Sequence, residues 1–139
     1  MNTQKYKELD FYSFQLAKKE VQRVGQIEIK IVGKSMYPLY EEIEGQKIIV
    51  HYVKDIKELK RFDVITFWLN NILVTHYVWK QNEVFIDDPN DPILVTRPLN
   101  PMKSFDTPIK FSQVLGIVPE RKISLWLKFR IYLNYFWSK

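Results

Sequence analysis

The chain has 139 residues, 46% of them hydrophobic, and a formal net charge of +5. This length suits one domain, because two domains of half the size would each be marginally stable, and the composition excludes a disordered chain. The sequence has no cysteine and only two histidines, which excludes disulfides, thiolate zinc sites and thiol nucleophiles, and we expect neither a metal site nor another cofactor.

The sequence lacks the segments that direct a chain into or across a membrane. Residues 1–10 contain no apolar run, and no run elsewhere reaches the roughly 18 apolar residues that a membrane-spanning helix requires. The small excess of basic residues is common in soluble domains and does not by itself indicate binding to nucleic acid. We therefore expect a cytoplasmic protein that does not bind nucleic acid.

The first predicted elements are a helix and a strand. Apolar residues recur at spacings of three and four over Asp10–Val24, which predicts an amphipathic helix, and Gly25 is placed to end it. Alternating isoleucines over Ile27–Ile31 then predict a half-buried strand that runs into Gly33.

The middle of the chain contains the strongest local prediction, a β-hairpin. Two apolar runs, Val64–Leu69 and Ile72–Trp79, are separated only by Asn70-Asn71, and an asparagine pair is typical of a tight turn. Before the hairpin, the β-branched residues of Lys47–Val53 predict another strand. The charged stretch 54–61 is interpreted as a solvated connection.

The second strand of this hairpin places a histidine on an apolar face. Because side chains alternate along a strand, His76 shares its face with Ile72, Val74 and Val78. Taken alone, such a histidine is more often a core residue bonded to a backbone carbonyl than a catalytic group.

The residues after the hairpin predict less regular structure. Asp87–Pro92 is expected to be a loop, and Pro98–Pro108 to be irregular or edge-like, because both stretches contain several residues that interrupt strands. Phe111–Val118 predicts a last strand, which Pro119 would end.

The C-terminal segment predicts an amphipathic helix with two open interpretations. The helix either docks on the sheet or on a second copy, giving a homodimer, or lies in the headgroup region of a membrane as a peripheral attachment. On a helical wheel one stripe consists of Leu125, Trp126, Phe129, Leu133 and Phe136. Three more apolar residues lie on the nominally polar side, at Ile123, Leu127 and Ile131.

A candidate nucleophile follows the first strand. The sequence Gly-Lys-Ser-Met-Tyr-Pro over Gly33–Pro38 places Ser35 in a turn that exposes its hydroxyl. Serine is a weak nucleophile, so a general base must reach it, and the candidate bases are a histidine or a neutral lysine.

These residues resemble a known family of serine peptidases. The turn Gly33–Pro38 is similar to the Gly-x-Ser-Met-x-Pro box of type I signal peptidases and the related self-cleaving SOS-repressor peptidases. Asp63, the hairpin after it and the histidine within Val74–Val78 resemble the form of the family with a histidine base, found in archaeal and endoplasmic-reticulum signal peptidases. The acidic run Asp87–Asp91 resembles the third box of the family, and the resemblance covers approximately residues 25–119.

The resemblance implies a fold as well as an activity. We expect a mainly β (α+β) protein of the signal-peptidase and SOS-repressor type, with an amphipathic helix at each end. The expected single domain consists of an N-terminal helix over 1–25, a peptidase-like β core over 26–119 and a C-terminal helix over 120–139.

The implied activity is hydrolysis of a peptide bond in a peptide or protein substrate. Ser35 would attack the carbonyl carbon after His76 removes its proton, and Asp88 would hold the other imidazole nitrogen, with Asp91 in reserve. The activity should then rise through mildly acidic pH as the histidine becomes neutral. The other expected site residues are Gly33 and Met36 at the oxyanion turn, and Pro38, Asp63 and Asp91 as structural supports.

Departures from the family pattern keep a second hypothesis open. Phe62 and Asp87 stand where the family has glycine, Tyr77 stands where it has arginine, and no membrane-spanning anchor is expected before the core. The alternative is a catalytically inactive, peptidase-like module that binds a partner through an edge strand or the C-terminal helix. A DNA-binding repressor fits less well, because one helix before Gly25 is too short for a helix-turn-helix domain.

Overall fold

A computed structural model of the chain describes residues 8–31, 46–83, 90–99, 102 and 104–137. In those ranges most of the regular secondary structure is β-sheet, with one α-helix near each end, so the expected α+β class is confirmed. The elements in chain order are α1 (Phe11–Val24), β1 (Gln26–Ile31), β2 (Gln46–His51), β3 (Val64–Leu69), β4 (Ile72–Glu83), β5 (Ile93–Arg97), β6 (Ile109–Lys110), β7 (Val114–Ile117) and α2 (Leu125–Trp137).

The strands form one antiparallel sheet in the order β1-β2-β7-β3-β4-β5-β6. The last strand along the chain, β7, therefore lies between β2 and β3, in the interior of the sheet. The approach of β7 to β2 is so close that a side chain at Gly116 would collide with the carbonyl oxygen of His51 and with Val50. A glycine is required there for steric reasons.

Each face of the sheet has its own hydrophobic core. The two helices cover one face, and the core there contains Phe14, Val21, Ile48, Val50, Phe62, Val64, Tyr77, Trp79, Leu99, Leu115, Val118, Ile123, Leu127 and Ile131. The β2–β3 connection covers the opposite face, where the core contains Val53, Ile56, Leu59, Ile65, Phe67, Val78, Leu94, Ile109 and Val114.

The N-terminal helix forms as its pattern predicts. Asp10 caps it by accepting a hydrogen bond from the backbone N–H of Ser13 at 2.8 Å. Gly25 ends it in the left-handed conformation, with φ of 99°, which glycine adopts without a steric penalty. Phe14 and Val21 lie on its buried face against the sheet.

The predicted hairpin is also confirmed. β3 and β4 pair from Val64 opposite Tyr77 to Leu69 opposite Ile72. Asn70 and Asn71 connect them with φ of 51° and 65°, and two successive positive φ values are the mark of the type I′ turn that suits the twist of a hairpin.

Two expectations about connections and strands were wrong in part, and one strand was not expected. The connection 54–61 is not wholly solvated, because Ile56 and Leu59 are buried in the second core. The strand β5 was not predicted. The predicted last strand begins only at Val114, since Phe111–Gln113 forms a 3₁₀ turn.

The C-terminal helix docks through the side that the wheel treats as nominally polar. Ile123, Leu127 and Ile131 are buried against the sheet, whereas much of the aromatic stripe faces outward. The helix thus docks on the sheet, which was one of the two expected interpretations, but through these residues and not through the aromatic stripe. In the described part of the chain no helix is both long and apolar enough to cross a membrane.

Candidate active site

His76 lies on β4, directly opposite Ile65 of β3. Its side chain faces the second core, where its ring meets the ring of Phe67 edge to face with centroids 5.9 Å apart. The residue is 8% exposed, so the imidazole lies at the boundary between the core and solvent. A ring in this position can react with a bound molecule while most of its surface is protected from water.

A carboxylate holds one nitrogen of this imidazole. Nδ1 of His76 and Oδ2 of Asp106 are 2.6 Å apart. The same oxygen accepts a hydrogen bond from the hydroxyl of Thr96, also at 2.6 Å, and the backbone N–H of Asp106 donates to the carbonyl of Thr96 at 3.0 Å. Three hydrogen bonds therefore determine where Asp106 sits relative to the histidine.

The pairing with Asp106 determines which tautomer a neutral His76 adopts. An ionised carboxylate only accepts hydrogen bonds, so Nδ1 of His76 must carry the proton that lies between them. The lone pair of a neutral ring is then on Nε2, the nitrogen that can accept a proton from another group. This is the arrangement that a histidine general base requires.

Sheet pairing brings Thr96 next to the histidine. Thr96 of β5 is paired with Val78 of β4, two residues beyond His76 and on the same face. Its side chain is fully buried, so its hydroxyl has little freedom to leave Asp106. The short strand β5 is thus the element that positions the carboxylate.

A buried arginine holds the segment that leads to Asp106. On the helix side of β5, Arg97 donates from Nε to the carbonyl of Ser104 at 3.2 Å and from Nη2 to the carbonyl of Met102 at 2.7 Å. Its guanidinium carbon lies 4.2 Å from the ring centre of Phe105 and 4.7 Å from that of Trp79. These contacts fix the described backbone just before Asp106.

Several expected site residues lie outside the described ranges. They are Gly33, Ser35, Met36, Pro38 and Asp88. The serine turn joins β1, which ends at Ile31, to β2, which begins at Gln46. β1 also contacts β4 although three strands separate them in the sheet order, so the turn leaves a strand that touches the strand of His76.

The acid expected from the run Asp87–Asp91 is not the one that the described residues place at the histidine. Nδ1 of His76 contacts Asp106 instead. Asp91 accepts hydrogen bonds from the backbone N–H and the hydroxyl of Ser112, at 2.8 and 2.6 Å. Asp91 lies just before β5, whereas Arg97, which pairs beside His76, lies at the other end of that strand. Six residues of extended chain span about 20 Å, so the start of β5 is not next to the imidazole.

Asp63 organises the turn that enters β3. Its carboxylate accepts from the backbone N–H of Lys60 at 2.7 Å, and its carbonyl accepts from the N–H of Val78 at 2.8 Å. Phe62, in the place of the family glycine, has φ of 77°, so it adopts the left-handed conformation that a glycine would provide. Tyr77 points to the face opposite His76 and does not flank the imidazole.

Asp106 is the residue that sequence reasoning missed. It is the only acidic residue in the stretch 98–108, which connects β5 to the next strand. If Ile93–Arg97 is recognised as the strand next to β4, the stretch 98–108 becomes the place to look for an acid. A chain that folds back along β5 brings such an acid close to the strand that carries His76.

The site in the described residues is thus a histidine whose orientation is fixed by a carboxylate and a buried hydroxyl. Among these residues no group of three or more histidines and carboxylates could hold a metal ion. Comparisons of the chain with protein-family models, with curated proteins and with solved structures find no match.

Proposed function

We propose that the protein is a serine endopeptidase with Ser35 as nucleophile, His76 as general base and Asp106 as the acid that orients the base. The observation that carries this proposal is the 2.6 Å contact between Nδ1 of His76 and Asp106. The carboxylate, whose side chain is 19% exposed, bonds both to the imidazole and to the hydroxyl of Thr96, and this is the arrangement that orients a histidine base. The Gly-x-Ser-Met-x-Pro turn at Gly33–Pro38 supplies the nucleophile.

The proposed reaction is acyl transfer in two steps. Nε2 of His76 takes the proton of Ser35 while Oγ bonds to the carbonyl carbon of the substrate. The C–N bond then breaks, and the imidazolium gives its proton to the departing amine. Water, activated by the same nitrogen, hydrolyses the ester on Ser35, which releases the acid product and restores the hydroxyl.

Asp106 contributes by stabilising the imidazolium that forms in each step. Its carboxylate holds the tautomer in which Nε2 is the acceptor, and it attracts the positive charge that develops on the ring. Thr96 supports this role because its hydroxyl donates to the carboxylate of Asp106. The hydroxyl does not occupy Nδ1 of His76, and it carries no charge. The position of His76 at the edge of the second core strengthens the attraction, since the effective dielectric constant is lower there than in water.

The remaining parts of the proposal concern the fold, the oxyanion donor and the binding of the substrate. A sheet with seven antiparallel strands and a helix at each end is compatible with the signal-peptidase type of fold. The backbone N–H of Ser35 would be one donor to the oxyanion. The substrate would bind as an extended strand, so that backbone hydrogen bonds align its scissile carbonyl.

Labelling with a serine-directed phosphonate tests the proposal without knowledge of the substrate. We expect the wild-type protein to be modified once, at Ser35, with the site located by peptide mass spectrometry. Ser35→Ala should abolish the modification and His76→Ala should slow it by at least about 10³-fold, because the hydroxyl loses its base. Ser13→Ala, which removes a helix hydroxyl of α1, is the matched control and should label like the wild type.

Two results would reject the catalytic assignment. Modification at another serine would show that Ser35 is not the reactive hydroxyl. A folded wild-type protein that is not modified at all would favour the alternative, a peptidase-like binding module.

A further inference from the structure

The outer side of α2 is apolar and largely exposed in the described structure. Its inner side is occupied, since Leu127 and Ile131 are buried and the rings of Tyr132 and Tyr135 lie against Trp79. The outer side carries five large apolar residues that are each 53–83% exposed, namely Leu125, Trp126, Phe129, Phe136 and Trp137. We call these five residues the outer face of α2. On an ordinary protein surface, exposed large apolar residues are scattered singly, whereas this short helix exposes five of them together.

The charged residues of the C-terminal segment that follows Glu120 have one sign. Residues 121–139 contain Arg121, Lys122, Lys128, Arg130 and Lys139, and no aspartate or glutamate. With about 100° per residue, Arg130 borders the outer face next to Trp137. The ammonium of Lys128 lies 5.4 Å from the ring centre of Phe62, towards the core under α2. An exposed apolar strip in a segment with several basic and no acidic residues is the pattern of a helix that lies in a lipid headgroup layer.

The dimensions of α2 favour an in-plane orientation. Its 13 residues extend about 20 Å, which is shorter than the roughly 30 Å hydrocarbon core of a bilayer. Trp126 and Trp137 lie near its two ends, and tryptophan prefers the boundary between headgroups and acyl chains. A helix of this length can therefore insert its outer face but not cross.

We propose that the outer face of α2 binds the surface of a membrane that contains anionic lipid. A second copy of the chain is the other candidate for covering this face. In a two-fold dimer the basic residues of the two C-terminal segments would approach one another with no acidic residue of this segment to balance them, and juxtaposed like charges are unfavourable. Anionic headgroups instead neutralise these basic residues while the acyl region accepts the rings.

This surface and the candidate active site lie on opposite faces of the sheet. The core under α2 contains Tyr77 and Trp79, whereas His76 points to the other core. A membrane-bound molecule would thus present His76 on the side of the sheet away from α2. The proposal does not depend on catalysis, so an inactive protein would still be expected to bind.

Quenching of tryptophan fluorescence by brominated lipid tests where α2 lies. The full chain is mixed with vesicles of phosphatidylcholine and phosphatidylglycerol whose acyl chains carry bromine, and with vesicles of phosphatidylcholine alone. We expect quenching with the anionic vesicles and much weaker quenching with the neutral ones. The double variant Trp126→Phe/Trp137→Phe should still sediment with the vesicles but lose most of the quenching. Of the two tryptophans that remain, Trp79 is buried and Trp68 is stacked on Phe14 of α1.

Two further variants separate the apolar and the charged contributions. Trp126→Ser/Phe129→Ser, which removes two rings of the outer face, should weaken sedimentation with anionic vesicles by tenfold or more. Lys122→Gln/Arg130→Gln should also weaken it by about tenfold or more, and added salt should reduce this difference. Tyr52→Ser removes an exposed aromatic residue outside both helices and should bind like the wild type.

The competing outcomes overturn the proposal. Failure of the folded wild-type protein to bind anionic vesicles would reject it, as would binding that none of the outer-face or charge variants weakens. A dimer in solution that Trp126→Ser/Phe129→Ser dissociates, without vesicle binding by the wild type, would assign the face to a second copy. Circular dichroism checks that each variant is folded, which we expect because the substituted side chains are exposed.

Discussion

Oδ2 of Asp106 accepts hydrogen bonds from two side chains, and this determines the chemistry that His76 can perform. Nδ1 of His76 and Oγ1 of Thr96 both lie 2.6 Å from this oxygen. Because Thr96 is buried, the carboxylate cannot swing towards solvent without losing a hydrogen bond whose donor would remain unsatisfied. The histidine is therefore held in the tautomer that a general base needs.

On the opposite side of β4, Tyr77 provides a residue-scale prediction about stability. Burial raises the pKa of Tyr77 to about 12, and its hydroxyl has no hydrogen-bond partner in the part of the chain that the structure describes. Replacing Tyr77 by Phe removes a buried, unsatisfied hydroxyl, so we expect the free energy of unfolding at neutral pH to rise by about 1 kcal/mol.

The same variant should change the response to alkaline pH. The phenol ionises near pH 10 in the unfolded chain and near pH 12 in the folded one, so the unfolded state loses its proton first as the pH rises. The wild type should lose about 2 kcal/mol from this residue between those values, and Tyr77→Phe should not. Urea unfolding at a series of pH values measures the difference, and parallel curves for the two proteins would contradict it.

Residue identity at the site was only partly accessible from the sequence. His76 stands out because one imidazole interrupts an apolar face, and the box around Ser35 is specific in itself. The acid could not be identified in this way. Three aspartates that follow β4 resemble a family motif, whereas Asp106 belongs to no motif. Only the pairing of Val78 with Thr96 shows which carboxylate comes back to the ring.

At the scale of elements, the turn before β3 combines a strained backbone with an aromatic cluster. Phe62 has φ of 77°, which costs a non-glycine residue about 1–2 kcal/mol. Its ring contacts those of Tyr77, Trp79 and Tyr132, with centroids 5.5–6.1 Å apart. The packing of the ring offsets the strain in the backbone.

Two substitutions at Phe62 separate these contributions. Phe62→Ala should destabilise the fold by about 3–5 kcal/mol, because it removes the ring and keeps the strain. Phe62→Gly removes the same ring but relieves the strain, so it should be about 1 kcal/mol more stable than the alanine variant, the reverse of the order expected at an ordinary site. Denaturant titration of both variants tests this, and a glycine variant less stable than the alanine variant would show that the turn carries no strain.

Local chemistry explains which elements were predictable. Asp10, Gly25 and the Asn70-Asn71 pair act on their own neighbours, so α1 and the hairpin could be recognised directly. β5 is short and lies between Pro92 and Pro98, so its sequence gives only a weak strand signal. It forms a strand because it pairs with β4. In α2 both sides are apolar, so the period predicts a helix but not the side that docks.

At the scale of the whole molecule, the antiparallel sheet separates two surfaces. One face carries the helices and the outer face of α2, and the other carries His76 with Asp106. Residues 76 and 106 meet because β5 lies beside β4 and the following segment folds back to Thr96. Such long-range pairing could not be read from periodicity, whereas the helices at the two ends and the hairpin could.

The central claim is that Asp106 acts through His76 on Ser35. The rate of phosphonate labelling at Ser35 in the wild type, Asp106→Asn, His76→Ala and the double variant tests it most directly, with Asp88→Asn as the control for the other acid. We predict that Asp106→Asn slows labelling by about 10³–10⁴-fold in the wild-type background but adds almost nothing once His76 is absent, while Asp88→Asn labels normally. Equal slowing by Asp106→Asn in both backgrounds, or slowing by Asp88→Asn alone, would contradict the claim.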